Sequence, residues 1–183
     1  QYGLNFEMVG RLILINFGTQ IIADILAVKF ADKFGYRTSA VLAHVFCATG
    51  LVLLGTLPQV CPSPYTGLVI AVVTYALGGG LLEVLVSPIV DSLPGDKKAS
   101  DMSLLHSFYC WGQMGVVLIS TLILSILGTD IWMWLPIGWA ILPFLNLFFF
   151  MKVPFVPPVP EEKLMTVQEL CKNRVFLLAL VVM

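Results

Sequence analysis

The residues with the most chemistry in this sequence are acids set inside apolar runs. Glu83 lies in Ala76-Leu-Gly-Gly-Gly-Leu-Leu-Glu-Val-Leu-Val-Ser-Pro-Ile-Val-Asp91, which ends on a second acid, and Asp24 interrupts an earlier run. At membrane depth an ionisable side chain costs ~2.5–3.5 kcal/mol or more on insertion scales, so each such residue calls for a role. Burial disfavours the charged form of a carboxyl, so Glu83 is expected to take up and release a proton near neutral pH. Gly78, Gly79 and Gly80 would admit a neighbouring helix or a bend, and Pro88 frees the carbonyl of Val84 and kinks the chain. The alternative role for Glu83 is structural, as a carboxylate hydrogen-bonded to a neighbouring helix.

Two further groups carry polar chemistry. Asn16, Gln20 and Asp24 recur every four residues, one stripe of a helix, with Thr19 at its border. Two roles fit Asn16 and Gln20: lining a watery cavity, or hydrogen-bonding between helices at ~0.6 kcal/mol per contact. His106 and Gln113 share a helix face with Tyr109 and Cys110 between them, a set of donors, acceptors and one aromatic surface that suits a hydroxyl-rich ligand. His44 has no polar companion at helical spacing and is expected to be structural, and Trp111 is expected to meet lipid or pack. The cysteines at 47, 61, 110 and 171 show neither a disulfide framework nor zinc spacing, so no metal and no cofactor is expected.

The elements that position these residues follow from composition. Of 183 residues, 58% are apolar or aromatic and 11% charged, with mean hydropathy +0.95. Soluble domains carry about 25% charge, so a water-soluble enzyme is excluded. Ten basic and eleven acidic residues leave a net charge of −1 and no basic face for nucleic acid. Apolar segments at about 12–28, 39–57, 66–93, 102–127 and 131–151 are each of the order of the ~20 residues that cross a membrane. Lipid forces them to be helices, since each must satisfy its own backbone. The expected fold is an all-α integral membrane bundle with five complete spans.

Charge sets the orientation. Residues 29–38, 95–101 and 152–174 hold nine Lys and Arg, whereas the alternate connections hold Arg11 alone. The first set is therefore expected on the cytoplasmic side of a multi-pass protein of the cell membrane. Trp132, Trp134 and Trp139 are expected in an interfacial belt at the other side. Residues 1–152 are expected to form one bundle and the proline-rich, then charged, residues 153–174 a cytoplasmic linker. Residues 175–183 are expected to open a further span that the chain leaves short, so the sequence reads as a piece of a longer protein.

The segment Val28-Lys-Phe-Ala-Asp-Lys-Phe-Gly-Tyr-Arg37 resembles the signature loop between the second and third helices of the major facilitator superfamily, Gly-x-x-x-Asp-Arg/Lys-x-Gly-x-Arg. Asp32, Lys33, Gly35 and Arg37 match, and Val28 stands where the first glycine is usual. The resemblance implies that the five spans are the second to sixth helices of that fold, with the first absent and the seventh beginning at 175. It also implies that Asp32 and Arg37 join Asp91 in a cluster closing the cytoplasmic side in the outward-facing state. A narrower resemblance is to the fucose-permease-like sugar:proton symporters. Leu81-Leu-Glu83 with Ser87-Pro88 is similar to a Gly-Leu-x-Glu segment with a following proline, and Met102-Ser-Leu-Leu-His-Ser-Phe108 is similar to Leu-Asn-Leu-x-Gln-x-Phe, with His106 for the glutamine.

The branch implies proton coupling at Glu83, which leaves Asn16, Gln20, His106, Tyr109 and Gln113 as candidate solute contacts. The expected function is alternating-access transport of a small solute, a sugar, by a protein that is monomeric when complete and meets solute, protons and lipid. The alternative is a drug or other-metabolite transporter of the same superfamily. The antiporter run Gly-Pro-x-x-Gly-Gly is absent from Gly112-Gln-Met-Gly-Val-Val-Leu-Ile-Ser120, which favours uptake. A membrane enzyme would need a nucleophile or metal set, and no such spacing occurs, so no enzymatic activity is expected.

Overall fold

A computed structural model describes residues 2–153 and Lys172 of the chain, apart from the side chains of Val28, Lys29, Phe30 and Asp32. Helix α1 spans Phe6–Phe34, α2 Tyr36–Val60, α3 Pro64–Asp91 and α4 Lys98–Leu127. A 3-10 turn at Thr129–Ile131 leads to α5, Trp134–Trp139, and α6, Ile141–Lys152. Among the described residues five segments are long and apolar enough to cross a membrane, with α5 and α6 together forming the fifth. Of the expected linker 153–174 only Val153 and Lys172 are described, and residues 175–183 lie outside the described set.

The helix ends differ from those expected. The connection predicted over 29–38 is almost all helix, with Gly35 alone between α1 and α2. Likewise, Lys98–Asp101 form the first turn of α4 rather than a loop. Hydropathy marks where a chain leaves the lipid, whereas a helix ends where its hydrogen bonds stop, and charged residues such as Lys33 do not stop them. Gly35 does, with φ +80° and ψ 153°, a conformation nearly confined to glycine. Its N–H closes α1 on the Ala31 carbonyl at 3.0 Å, and its own carbonyl receives the Ser39 N–H and hydroxyl.

The fifth span, predicted as continuous, breaks at Ala140. Pro143 explains the position: it has no N–H to donate, and its ring crowds the carbonyl four residues back, at Trp139, where α5 ends. Trp139, expected in the interfacial belt, has a polar partner within the bundle. Its indole Nε1 donates to Ser120 Oγ of α4 at 2.9 Å, the partner that a half-buried indole requires.

Packing centres on α3, which is pressed most extensively on α2 and then on α1, while α5 and α6 lie on α2. Lipid is as apolar as the side chains, so helices associate through close van der Waals contact between small residues. The core here is accordingly Ala27, Ala31, Ala40 and Ala43 around Leu81 and Leu85. A Cβ on Gly50 would stand 2.4 Å from the Tyr75 backbone nitrogen, and one on Gly78 would stand 2.6 Å from the Ala43 carbonyl oxygen. His44 is structural, as expected: it is buried, with Nδ1 paired at 2.7 Å to the Ala40 carbonyl and its ring against Phe150. Helix α4 has no buried residue.

Two predictions follow from these junctions. Gly50→Ala and Gly78→Ala are each expected to cost about 1–3 kcal/mol through overpacking. Gly112→Ala meets nothing within 4 Å and is expected to leave the thermal midpoint unchanged or raised, which melting of the detergent-solubilised protein checks. Gly35→Ala also meets no atom within 4 Å. The same melt should nevertheless show a loss of about 1–3 kcal/mol from backbone strain alone.

Candidate functional site

Helices α1, α3 and α4 enclose a cavity of about 420 Å³. Its polar side chains are Gln20 from α1, Glu83 and Ser87 from α3, and His106 and Tyr109 from α4, with Leu82, Val86 and Leu105 as apolar wall. Four candidates from three separate sequence segments thus meet at one place. A larger space of about 580 Å³ near Leu68, Leu124 and Trp132 gathers no titratable group apart from the Tyr2 phenol, so the smaller cavity is the candidate site.

Each wall has a local cause. Gly79 lies four residues before Glu83 on the same face of α3, and its missing side chain leaves room for the Gln20 amide, whose Nε2 would be 3.3 Å from a Cβ there. Asn16 Nδ2 donates to Gln20 Oε1 at 3.4 Å, so Asn16 stands behind Gln20 rather than in the cavity. Asp24 sits over Gly80, where an added Cβ would be 2.9 Å from its Oδ1. That oxygen and Asn16 Oδ1 are buried and make no hydrogen bond among the described residues.

Glu83 differs from its expected setting. It is exposed on the cavity face of α3 rather than buried, because the packed faces of α3 are those turned to α2 and α1. Gln113 is also displaced: it lies on a separate shallow groove with Phe108 and Val117, and only Tyr109 borders both spaces. Seven residues of helix advance about 10 Å, which carries Gln113 past the cavity's edge although it shares a face with His106.

The charged cluster expected at the end of the bundle is described only in part, since the side chain of Asp32 lies outside the described residues. Arg37 donates from its guanidinium to the Val153 carbonyl at 2.9 Å, capping the carboxyl end of α6. Asp91 is exposed as the last residue of α3, and its backbone carbonyl accepts from Lys98 Nζ. No ion pair within 4.0 Å joins Arg37 to Asp91 among the described residues. Lys33 lies over the Phe34 ring, 5.5 Å from its centre, and the side chain of Asp32 lies outside the described set.

Ser87 is the site residue that the sequence argument did not single out as a candidate. Its place four residues after Glu83 was the available signal, since that spacing puts both on one helix face. Among the described residues no group of three or more His, Cys, Asp or Glu could hold a metal ion.

Comparison with known proteins agrees with this architecture. The xylose transporter XylE from E. coli, solved in an inward-open conformation, matches with a TM-score of 0.70 at 23% sequence identity. The match covers 94% of this chain and 44% of that one, so the chain spans less than half of that transporter's length. No curated protein matches the sequence. The description "Major Facilitator Superfamily" fits residues 1–183, the whole chain. With five membrane-spanning helices in this fold, the chain is a multi-pass membrane protein that belongs to the Major Facilitator Superfamily.

Proposed function

We propose that this chain forms the first bundle of a proton-coupled secondary transporter that moves a small hydroxylated solute, a sugar. The observation that carries it is the meeting of Glu83, Gln20, His106 and Tyr109 in one cavity between α1, α3 and α4. Gln20 spends its oxygen on Asn16, which leaves its amide N–H groups for a solute hydroxyl. His106 offers a donor and an acceptor, and Tyr109 a ring face and a hydroxyl. No Lys or Arg lines the cavity among the described residues, so an anionic solute would meet Glu83 without a compensating charge.

In this reading α1 to α4 and the broken fifth span are the second to sixth helices of the superfamily fold, and residues 153–174 connect to a second bundle. The protein lies in the cell membrane with the Gly35 turn and the 95–101 and 152–174 segments cytoplasmic, acts as a monomer when complete, and is surrounded by lipid. The solute site lies near the midplane and opens alternately to each side as the bundles rock. Glu83 biases that equilibrium by holding its proton more tightly in one state than in the other. The pairing of Arg37 with Asp91 belongs to a second state, in which Arg37 has left Val153. The fucose-permease-like pattern around Glu83 supports the sugar assignment; the likeness to a xylose transporter at 23% identity supports the fold alone. The apolar wall of Leu82, Val86 and Leu105 favours, as a second reading, a more amphipathic metabolite or drug.

The test is uptake of labelled glucose, galactose and xylose by the complete transporter in proteoliposomes under an inward proton gradient. Glu83→Gln is expected to abolish gradient-driven uptake while sugar exchange at equal pH persists. Undiminished driven uptake in that variant removes the coupling role, and no uptake of any sugar removes the substrate class.

A further inference from the structure

We propose that Ser87 and Asp91 form the route by which a proton leaves Glu83 toward the Asp91 end of α3, an inference that rests on the coupling role proposed above. Glu83, Ser87 and Asp91 follow at intervals of four, so they share one side of the helix with about 6 Å of rise per step. Glu83 and Ser87 line the same cavity, and Asp91 is exposed as the helix's last residue. The line therefore begins at the candidate site and ends in water. A backbone rise of about 6 Å per step is of the size that one bridging water between the side chains would span.

A hydroxyl suits the middle position because it accepts and donates at once. Helical serines and threonines often spend that capacity on their own backbone, as Ser39, Thr56, Thr74 and Ser107 do here by donating to the carbonyl four residues back. Ser87 makes no such bond among the described residues and stays available to water. Pro88, the next residue, has no N–H, so the Val84 carbonyl lacks its usual helical donor and gives the same level of α3 a second acceptor for that water.

Other titratable groups near Glu83 offer no equal path. From α1, Asp24 faces Gly80 with its Oδ1 sealed from solvent. From α4, His106 and Tyr109 border the cavity; one turn before His106, Met102 has no exchangeable proton and Ser103 does not line the cavity. In the transfer, the Glu83 carboxyl gives its proton through water to the Ser87 oxygen while Ser87 releases its own hydroxyl proton to water beside Asp91. Glu83 is left as carboxylate, Ser87 is again a neutral hydroxyl, and one proton has entered the aqueous phase.

Time-resolved infrared spectroscopy of the complete transporter after an upward pH jump tests this without any solute. The protonated-carboxyl stretch is assigned to Glu83 by its loss in Glu83→Gln. Its decay is expected to slow about tenfold or more in Ser87→Ala, the size of a barrier raised by about 1.4 kcal/mol. The decay should also slow in Asp91→Asn, and keep the wild-type rate in Ser87→Thr. A wild-type rate in Ser87→Ala overturns the route, as does a Ser87→Thr as slow as Ser87→Ala, or slowing confined to His106→Gln. If Glu83→Gln removes no band, the coupling role itself fails; if the band is lost there but Ser87→Ala decays normally, only the exit route fails.

Discussion

Backbone-to-backbone contact at α3 is the constraint on which the rest of this bundle depends. Between helices in lipid there is no gain from hiding apolar surface, so stability must come from how closely the main chains approach. Gly50 and Gly78 let α2 and α3 close to a distance that a single Cβ would forbid. With α2 fixed on one side, α1 can lie on the next, through Ala23, Ala27 and Ala31. What remains of α3 is one open face, and that face holds Glu83 and Ser87.

The glycine triplet shows how narrow that partition is. Consecutive helical residues point about 100° apart, so three in a row look in three directions. Gly78 meets Ala43 and Cys47 of α2, Gly79 meets the Gln20 amide at the cavity, and Gly80 meets Ala23, Asp24 and the Gln20 carbonyl of α1. One short run thus seats two helices and one site side chain. The candidate acid Glu83 lies at the next turn, on a helix already held from two sides. A carboxylate on a loosely held helix would not keep a fixed distance to Gln20, and fixed geometry is what a recognition site needs.

The spans were legible in the sequence because lipid leaves the backbone one solution, and hydropathy reports lipid contact directly. The ends were not, because Lys33, Lys98 and Asp101 leave the lipid without leaving the helix. Gln20, Glu83, His106 and Tyr109 were readable as site candidates from residue type and periodicity. That Gln113 borders a separate groove was not readable, because a shared face fixes the angle about the helix axis but not the height along it. Ser87 was under-read because a helical serine usually spends its hydroxyl on its own backbone, and only the hydrogen bonds of the folded chain show that this one does not. The hydrogen bond from the Trp139 indole to Ser120 of α4 was not legible, because residue type shows that an indole needs a partner but not which one.

The two walls of the cavity are held by unequal forces. Gln20 and Glu83 sit on α1 and α3, joined through alanines and glycines at backbone distance. His106 and Tyr109 sit on α4, which has no buried residue and touches α3 far less extensively than α2 does. The free energy of a local rearrangement is set by the contacts it breaks, and among the described residues displacement of α4 breaks the fewest. A solute bound between the walls would add contacts to both and resist that displacement, which couples occupancy to the position of α4. The linkage needs no hinge within a helix: the contrast between the glycine-tight α1–α3 pair and the unburied α4 is sufficient, and the positions of the small residues set it.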